Sequence, residues 1–255
     1  PRGIPRSGGR PGGGPGQPVS AAPGREALRS PSQVWAEDRV DVRFCGRVPY
    51  LDALAWQRQR RADVIAGEAQ EALWMFEHPW VLTTGRRRVQ DLPPEPFWAQ
   101  RGIPVVPTER GGLATLHGPG QLVGSLVLRL RSRGLGVQRT VRALEEGLIR
   151  WLAGLGIRAA RREGAPGVWV GGDKIASVGL HIQRDVTLHG FALNLSVPIE
   201  PYGWFVPCGV ADAGTTSVLL QRGSAPSPGE AASDVADQVM WSLLESAVDS
   251  PAAHR

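Results

Sequence analysis

Residues 137–195 read VQRTVRALEEGLIRWLAGLGIRAARREGAPGVWVGGDKIASVGLHIQRDVTLHGFALNL and contain the clearest signals of secondary structure in the chain. Apolar residues recur three or four positions apart from Val137 to Leu155, which predicts an amphipathic helix that Gly156 stops. Three strand-like segments follow: Gly167–Val170, Ile175–Gln183 and Val186–Leu195. Gly171–Lys174 predicts a hairpin turn between the first two. A long helix beside such strands indicates an α/β domain of the α+β kind, with a mostly antiparallel sheet.

Outside this stretch, the sequence predicts further helices and short strands. Tyr50–Ala66 has helical spacing. One side of this helix carries Leu51, Leu54, Ala55, Arg58 and Ala62. Ser233–Val248 is predicted as the last helix, with Ser233 as its N-cap. The other predicted strands are Val40–Arg47, Ala72–Phe76, Val81–Thr84, Ile103–Val106 and Leu122–Leu130.

Residues 1–33 differ in composition from the rest of the chain. Gly and Pro recur there, and no acidic residue comes before Glu26. Such a segment buries too little apolar surface to offset its chain entropy, so we expect a disordered tail. Residues 34–250 are predicted to form a single domain.

Composition and charge restrict the class of protein. The 255 residues are 42% hydrophobic, yet no apolar run approaches the roughly 18 residues of a membrane helix. Cys45 and Cys208 lie far apart, which indicates a reduced, cytoplasmic protein. The net charge of +5 favours an acidic partner, either nucleic acid or protein. Since the basic residues are scattered apart from Arg86–Arg88, general surface charge is preferred over a nucleic-acid site.

Lysine is almost absent from the chain. Of the 29 basic side chains, all are arginine except Lys174. Arginine supplies surface charge here, so a position that keeps lysine marks a candidate for an amine that can lose its proton. A chance surface lysine is the alternative.

A glycine-rich segment, RGGLATLHGPGQ at residues 110–121, is a candidate binding loop. Its glycines let a ligand approach the backbone, Arg110 suits a phosphate or carboxylate, and His117 suits hydrogen-bond donation or proton transfer. The segment is neither a P-loop nor a GxGxxG fingerprint, so it predicts no nucleotide site.

A thiol on a turn is the second candidate for chemistry. Pro207-Cys208-Gly209 places Cys208 between a rigid and a flexible residue, whereas Cys45 lies in an apolar strand and is predicted to be structural. A nearby Lys174 ammonium would favour the Cys208 thiolate. The histidines lack metal-ligand spacing and no CxxC is present, so we expect no metal.

Four ordered motifs together resemble the lipoyl (octanoyl) transferase family over about residues 40–220. They are Arg110-Gly-Gly-x-x-Thr-x-His-Gly-Pro-Gly-Gln121, Gly167-Val-x-Val-x-x-x-Lys-Ile-Ala-Ser177, His189-Gly-x-Ala-Leu-Asn194 and Pro207-Cys-Gly209. His78-Pro79 and Thr84-Gly85-Arg86 also fit the family's pattern.

The resemblance implies a biotin/lipoate ligase-like fold, related to the class II aminoacyl-tRNA synthetase core. It implies a cofactor-free acyltransferase that moves octanoate from octanoyl-acyl carrier protein to a lysine of lipoyl domains. Those acceptors are the 2-oxoacid dehydrogenase E2 subunits and the glycine cleavage H protein. The family's nucleophile falls on Cys208 and its lysine partner on Lys174. Its substrate-binding residues fall on Arg110, Gly111, Gly112, Leu113, Ala114, Thr115, Leu116, His117, Ser177, Val178, Gly179, Gly190, Phe191 and Ala192.

Two positions depart from the family's pattern, since Leu116 and Ser125 stand where an aromatic residue is common. Both changes bear on the acyl pocket and leave the Cys208–Lys174 pair untouched. Two alternative functions remain open. One is an ATP-dependent lipoate or biotin ligase of the same fold, and the other is a non-catalytic basic domain that binds nucleic acid.

Overall fold

The computed structural model describes residues 40–87, 92–205 and 213–248. The strands in these ranges are β1 (Asp41–Arg47), β2 (Ala72–Glu77), β3 (Val81–Thr84), β4 (Val105–Pro107), β5 (Ala114–His117), β6 (Gln121–Val127), β7 (Val168–Val170), β8 (Asp173–Gln183) and β9 (Val186–Asn194). The helices are α1 (Tyr50–Ala66), α2 (Glu95–Ala99), α3 (Val137–Gly154), α4 (Val218–Arg222) and α5 (Pro228–Val248). The expected tail and Cys208 lie outside the described residues.

Two sheets are formed within the described ranges. The larger has six strands in the order β1-β2-β6-β9-β8-β7, and the smaller has three in the order β4-β3-β5. In the larger sheet β1 pairs parallel with β2, and every other pairing is antiparallel. The mixed α/β architecture with a mostly antiparallel sheet is therefore confirmed.

The main core lies between one face of the larger sheet and the helices α3 and α5. Leu144 and Leu148 of α3 pack there with Val239 of α5 and with Leu122 and Leu193 of the sheet. The two helices approach closely at Gly147, where an added Cβ would lie 2.5 Å from the Cα of Val239. The apolar residues spaced three or four positions apart, from which α3 was predicted, therefore form the side of the helix that packs against this core.

Helix α1 covers the opposite face of the sheet, and its buried side shares only Leu54 with the predicted side of Leu51, Leu54, Ala55, Arg58 and Ala62. Its buried residues are Tyr50, Ala53, Leu54, Gln57, Arg61 and Val64, whereas Leu51 is 61% exposed. Two polar residues are buried because each has a partner: Gln57 accepts a hydrogen bond from Ser125, and Arg61 bonds to His181. An apolar pattern could not reveal a face that is partly polar.

The start of the last helix also differs from the prediction. Helix α5 begins at Pro228, not after Ser233. The Ser227 hydroxyl accepts from the Glu230 N–H at 3.3 Å, and the Glu230 carboxylate accepts from the Ser227 N–H at 2.8 Å. This reciprocal capping box, with proline at the first helical position, sets the start five residues before Ser233.

Strand β5 lies within the segment predicted as a binding loop and was not expected. The bounds of the predicted strands are close to those observed. Strand β6 ends at Val127 instead of Leu130, and β4 starts at Val105 instead of Ile103. Across the described ranges, no helix combines the length and the apolar character that crossing a membrane requires.

Candidate functional site

A cleft of about 270 Å³ brings three of the four motifs together. Every residue predicted to bind substrate lines it except Leu116. Leu116 is fully buried in the core of the smaller sheet. Lys174 lines the same cleft, and Pro207–Gly209 lie outside the described residues. The volume is close to the lower end of the roughly 300–1,000 Å³ typical of small-molecule sites.

The floor of the cleft is made of small residues on adjacent strands. Gly179 of β8 pairs with Gly190 of β9, which pairs with Ser125 of β6. The next row along the same strands contains Ser177, Ala192 and Val123. Because residues two apart on a strand share a face, these two rows form one shallow surface with little side-chain bulk.

The glycine-rich loop closes over this floor through its backbone. The Gly111 N–H donates to the Leu180 carbonyl at 3.0 Å, and a Cβ on Gly179 would lie 3.2 Å from the Gly111 oxygen. The Arg110 guanidinium donates to the Thr83 carbonyl at 2.8 Å and to its hydroxyl at 2.9 Å. These contacts anchor the loop to β3, so Arg110 has a structural task besides any role toward substrate.

The hydrogen-bond network around His117 determines which ring nitrogen carries the hydrogen. The Gln121 amide nitrogen lies 2.9 Å from both the Asn194 side-chain oxygen and the Tyr202 hydroxyl. The Gln121 oxygen therefore faces His117 Nδ1, at 2.7 Å, and accepts from it. His117 Nε2 is left as an acceptor, 3.3 Å from the Thr83 hydroxyl. This tautomer does not suit His117 to the predicted role of hydrogen-bond donor to a substrate carbonyl.

Burial keeps His117 neutral. It lowers the pKa of His117 to about 3, and the nearby His78 adds to the shift. Tyr50 stacks on the ring with 5.6 Å between centroids and an interplanar angle of 16°. The hydroxyl of Tyr50 is itself buried, which raises its pKa to about 12.

The buried His117 should make stability depend on pH in a defined window. Between about pH 6.5 and pH 3 the unfolded chain binds a proton that native His117 does not, so the free energy of unfolding should rise with pH. This one group should contribute a slope of about 1.4 kcal/mol per pH unit. Urea unfolding of wild type and His117→Asn at several pH values in this window measures the difference in slope. Parallel curves would show that His117 titrates alike in both states.

Lys174 is a buried amine, not a chance surface lysine. It is 8% exposed, and its Nζ donates to the Pro166 carbonyl at 3.0 Å and lies 4.7 Å from the centre of the Trp169 ring. Gly167 closes over it with a φ of +129°, and a Cβ there would lie 2.5 Å from the Ala176 oxygen and 3.4 Å from Nζ. Glycine is required at this position on both counts.

The segment after the undescribed residues 206–212 is tied to the backbone of Lys174. The Lys174 N–H donates to the Gly214 carbonyl at 2.9 Å, and the Thr216 N–H donates to the Lys174 carbonyl at 3.0 Å. The Asn194 side chain donates to the Thr216 carbonyl at 3.0 Å. The network that orients His117 therefore continues to the chain segment that follows Cys208 in sequence.

Several residues in the cleft or next to its lining carried no sequence signal. Tyr50 and Gln57 lie outside the apolar spacing that predicted helix α1, and both line the cleft. Glu109 lies just before the glycine-rich motif and accepts from Arg58 at 2.8 and 3.1 Å. His189 Nε2 lies 3.8 Å from Glu109, and this interaction together with Arg58 holds the pKa of Glu109 well below its usual range.

Metal ligands are not grouped in the described part of the chain. Within residues 40–87, 92–205 and 213–248, no three His, Cys, Asp or Glu side chains gather as a metal site would require. That the site needs neither metal nor cofactor stays a prediction.

The sequence of this chain is similar to a known protein family and to octanoyltransferases from other organisms. Residues 49–239 match the family model described as the lipoyl protein ligase A/B catalytic domain. The chain is 44% identical to an octanoyltransferase of Clavibacter sepedonicus, covering 72% of this chain and 80% of that protein. It is 41% identical to an octanoyltransferase of Mycolicibacterium gilvum, covering 80% and 85% respectively.

Solved structures resemble the chain in fold. LipL1 of P. falciparum in complex with lipoate has a TM-score of 0.61 at 11% identity, covering 83% of this chain and 63% of that one. Lipoate-protein ligase A bound with ATP has a TM-score of 0.58 at 14% identity, covering 82% and 84%. The Aquifex aeolicus biotin protein ligase with biotin and ATP has a TM-score of 0.52 at 13% identity, covering 82% and 73%. The predicted biotin/lipoate ligase-like fold is confirmed.

Proposed function

The chain belongs to the family of the lipoyl protein ligase A/B catalytic domain and is a transferase, and we propose that it passes an octanoyl group to a lysine of lipoyl domains. The donor is octanoyl-acyl carrier protein, and the acyl group is carried between the two proteins as a thioester on Cys208. The observation that carries this proposal is the buried Lys174 amine in the cleft lined by the three motifs.

The first half-reaction is an exchange of thiols. The Cys208 thiolate attacks the carbonyl carbon of the donor thioester, a new C–S bond forms, and the carrier's thiolate leaves with the electron pair. The leaving thiolate takes a proton from the Lys174 ammonium, which leaves Lys174 as a neutral amine for the second half-reaction. The Lys174 ammonium favours the Cys208 thiolate electrostatically, because a positive charge close to a thiol stabilises its ionised form.

The second half-reaction forms the amide. The acceptor lysine amine attacks the acyl-Cys208 carbonyl, a C–N bond forms, the C–S bond breaks, and Cys208 is released as a thiolate. The nitrogen must lose a proton, and a neutral Lys174 amine is the group in the cleft that would take it. Because an amide is more stable than a thioester, this step needs no ATP.

The carbonyl oxygen needs hydrogen-bond donors while it carries negative charge. His117 gives its Nδ1 hydrogen to Gln121, so it is a poor candidate for this role. Backbone N–H groups close to Gly179 and Gly209 remain the candidates. His117 acts instead as a neutral residue that fixes the shape of the cleft wall.

The positive charge near the cleft suits two acidic protein partners. The free thiol of Cys45 suits the cytoplasm. Arg87 lines the cleft and Arg86 precedes it, which places positive charge where a carrier protein or lipoyl domain would dock. The acceptors are the E2 subunits of 2-oxoacid dehydrogenases and the glycine cleavage H protein. Cys45 is free among the described residues, and a reducing compartment would keep it so.

The test is acyl transfer without ATP. Purified protein is mixed with octanoyl-acyl carrier protein and a lipoyl domain, and the mass of the lipoyl domain is followed. We expect it to gain one octanoyl group. A gain that requires ATP and free octanoate would instead assign the chain to the ligases, and steep salt-dependent binding to nucleic acid without any transfer would favour the basic binding domain.

A further inference from the structure

The buried Lys174 amine is held by the loop of residues 164–167, whose first three residues line the cleft. Lys174 Nζ donates to the Pro166 carbonyl at 3.0 Å. The indole N–H of Trp169 donates to the Ala165 carbonyl at 3.0 Å, and the ring of Trp169 lies beside the same amine. The position of the amine in the cleft therefore depends on where this loop places the Pro166 carbonyl.

A carboxylate from helix α3 bonds to the other side of the same loop. Glu145 is 5% exposed, and its Oε1 accepts from the Gly167 N–H at 2.8 Å. This N–H and the Pro166 carbonyl belong to one planar peptide unit and point in opposite directions. A chain of hydrogen bonds therefore runs from the Glu145 carboxylate, through the Pro166–Gly167 peptide, to the Lys174 ammonium.

The charge of Glu145 needs an explanation, because its neighbour Leu144 lies in the main core. A neutral glutamine could accept from the Gly167 N–H just as well. Arg161 Nε lies 3.2 Å from Glu145 Oε2, but Arg161 is 36% exposed and also bonds to Glu146 at 2.7 Å. An exposed and shared ion pair contributes little to stability, so it explains the buried charge only in part. The ammonium at the far end of the peptide is the second positive charge that this carboxylate serves.

We propose that Glu145 is a positioning residue for acyl transfer, which orients the Pro166–Gly167 peptide and through it holds the Lys174 ammonium in the cleft. This inference rests on the proposed function. One peptide separates the two hydrogen bonds of 2.8 and 3.0 Å, so the charges lie within about 8 Å of each other. Hydrogen bonds linked in this way polarise one another, and the carboxylate makes the Pro166 carbonyl a stronger acceptor.

The first test observes the amine directly. Lys174 is the only lysine among the 255 residues, so labelling with ¹⁵N-lysine marks a single side-chain amine. A buried, hydrogen-bonded ammonium exchanges its hydrogens with water slowly, and NMR measures this rate. We expect exchange to become about tenfold faster in Glu145→Gln, which keeps an oxygen for the Gly167 N–H but removes the charge. Glu146→Gln is the matched control, since Glu146 also bonds to Arg161, and it should keep the wild-type rate.

The second test asks whether Glu145 acts through Lys174. In single turnover with octanoyl-acyl carrier protein, Glu145→Gln should lower the acylation rate constant about tenfold and leave half-saturation by the carrier protein unchanged. In a Lys174→Met background the same substitution should have no further effect, because two residues that act as a unit are not additive. An equal loss in both backgrounds would show that Glu145 supports the fold independently of the amine and would overturn the proposal.

The two tests also separate this proposal from the proposed function. Wild-type exchange at Lys174 in Glu145→Gln would overturn the proposal whatever the rates. Should that variant not fold, Glu145→Asp takes its place, because it shortens the reach to the Gly167 N–H by about 1.5 Å, and faster exchange is again expected. If exchange changes as expected but wild type takes no acyl group from the carrier protein, the proposed function fails. The part of Glu145 in acyl transfer then fails with it, although the chain of hydrogen bonds stands.

Discussion

Replacing Cys208 with serine should reduce formation of the octanoyl adduct by about 10⁴-fold or more, as removal of the nucleophile does in other covalent enzymes. A serine hydroxyl is a far weaker nucleophile than a thiolate unless an adjacent base activates it. The adduct is measured on intact protein after mixing with octanoyl-acyl carrier protein without ATP. Digestion and mass analysis of the fragments then locate the acyl group.

Cys45→Ser is the matched control for this experiment. Cys45 lies on the edge strand β1, where burial raises the pKa of its thiol, and the cleft lining does not include it. Its substitution should leave the adduct close to the wild-type level. Loss of the adduct in Cys45→Ser together with its survival in Cys208→Ser would show that the nucleophile was misassigned.

Three of the motifs meet at one cleft, and their glycines mark requirements of the backbone there. Gly179 and Gly190 are neighbours across two strands, and Gly111 lies directly over Gly179. An added Cβ would lie 2.4 Å from the Gly124 oxygen at Gly190 and 3.2 Å from the Gly111 oxygen at Gly179. A close approach of backbone to backbone leaves its trace in the sequence as glycine, so the residues that make the floor could be identified without a structure.

Helix α1 shows what the apolar pattern could not predict. Its buried side includes Gln57 and Arg61, which are buried only because Ser125 and His181 meet them from distant strands. The tautomer of His117 depends in the same way on Asn194 and Tyr202, which lie far along the chain from Gln121. Such polar contacts are set by tertiary structure, and single-residue periodicity carries no information about them.

Helix α5 is a different case, because the sequence before it contains a stronger start signal than Ser233. The sequence Ser227-Pro228-Gly229-Glu230 has the spacing of a capping box, with proline at the first helical position. Ser233 has the right residue type for a cap, but it lies inside the helix. The reciprocal pair of bonds between Ser227 and Glu230 outweighs the single bond that one serine offers.

Replacing Lys174 with methionine should lower the rate of acyl transfer by about 10²–10⁴-fold, the range typical of a lost acid–base group. Methionine keeps much of the length of the side chain and its contact with Trp169 but has no charge and no hydrogen for the Pro166 carbonyl. Single-turnover measurements of the two half-reactions, each over a range of pH, separate the effects on acylation of Cys208 from those on transfer to the lipoyl domain.

Lys174→Arg separates the two roles of the amine. A guanidinium keeps a positive charge beside the thiol, so acylation of Cys208 should fall less in this variant than in Lys174→Met. It stays protonated at every working pH, so it cannot take the proton of the incoming amine, and transfer to the lipoyl domain should fall nearly as far as with methionine. Because Gly167 closes over the amine, the larger head group also meets a crowded site, and a thermal melt checks that the fold survives. If arginine restored both half-reactions, proton transfer by Lys174 would be ruled out, and its charge alone would account for its place in the cleft.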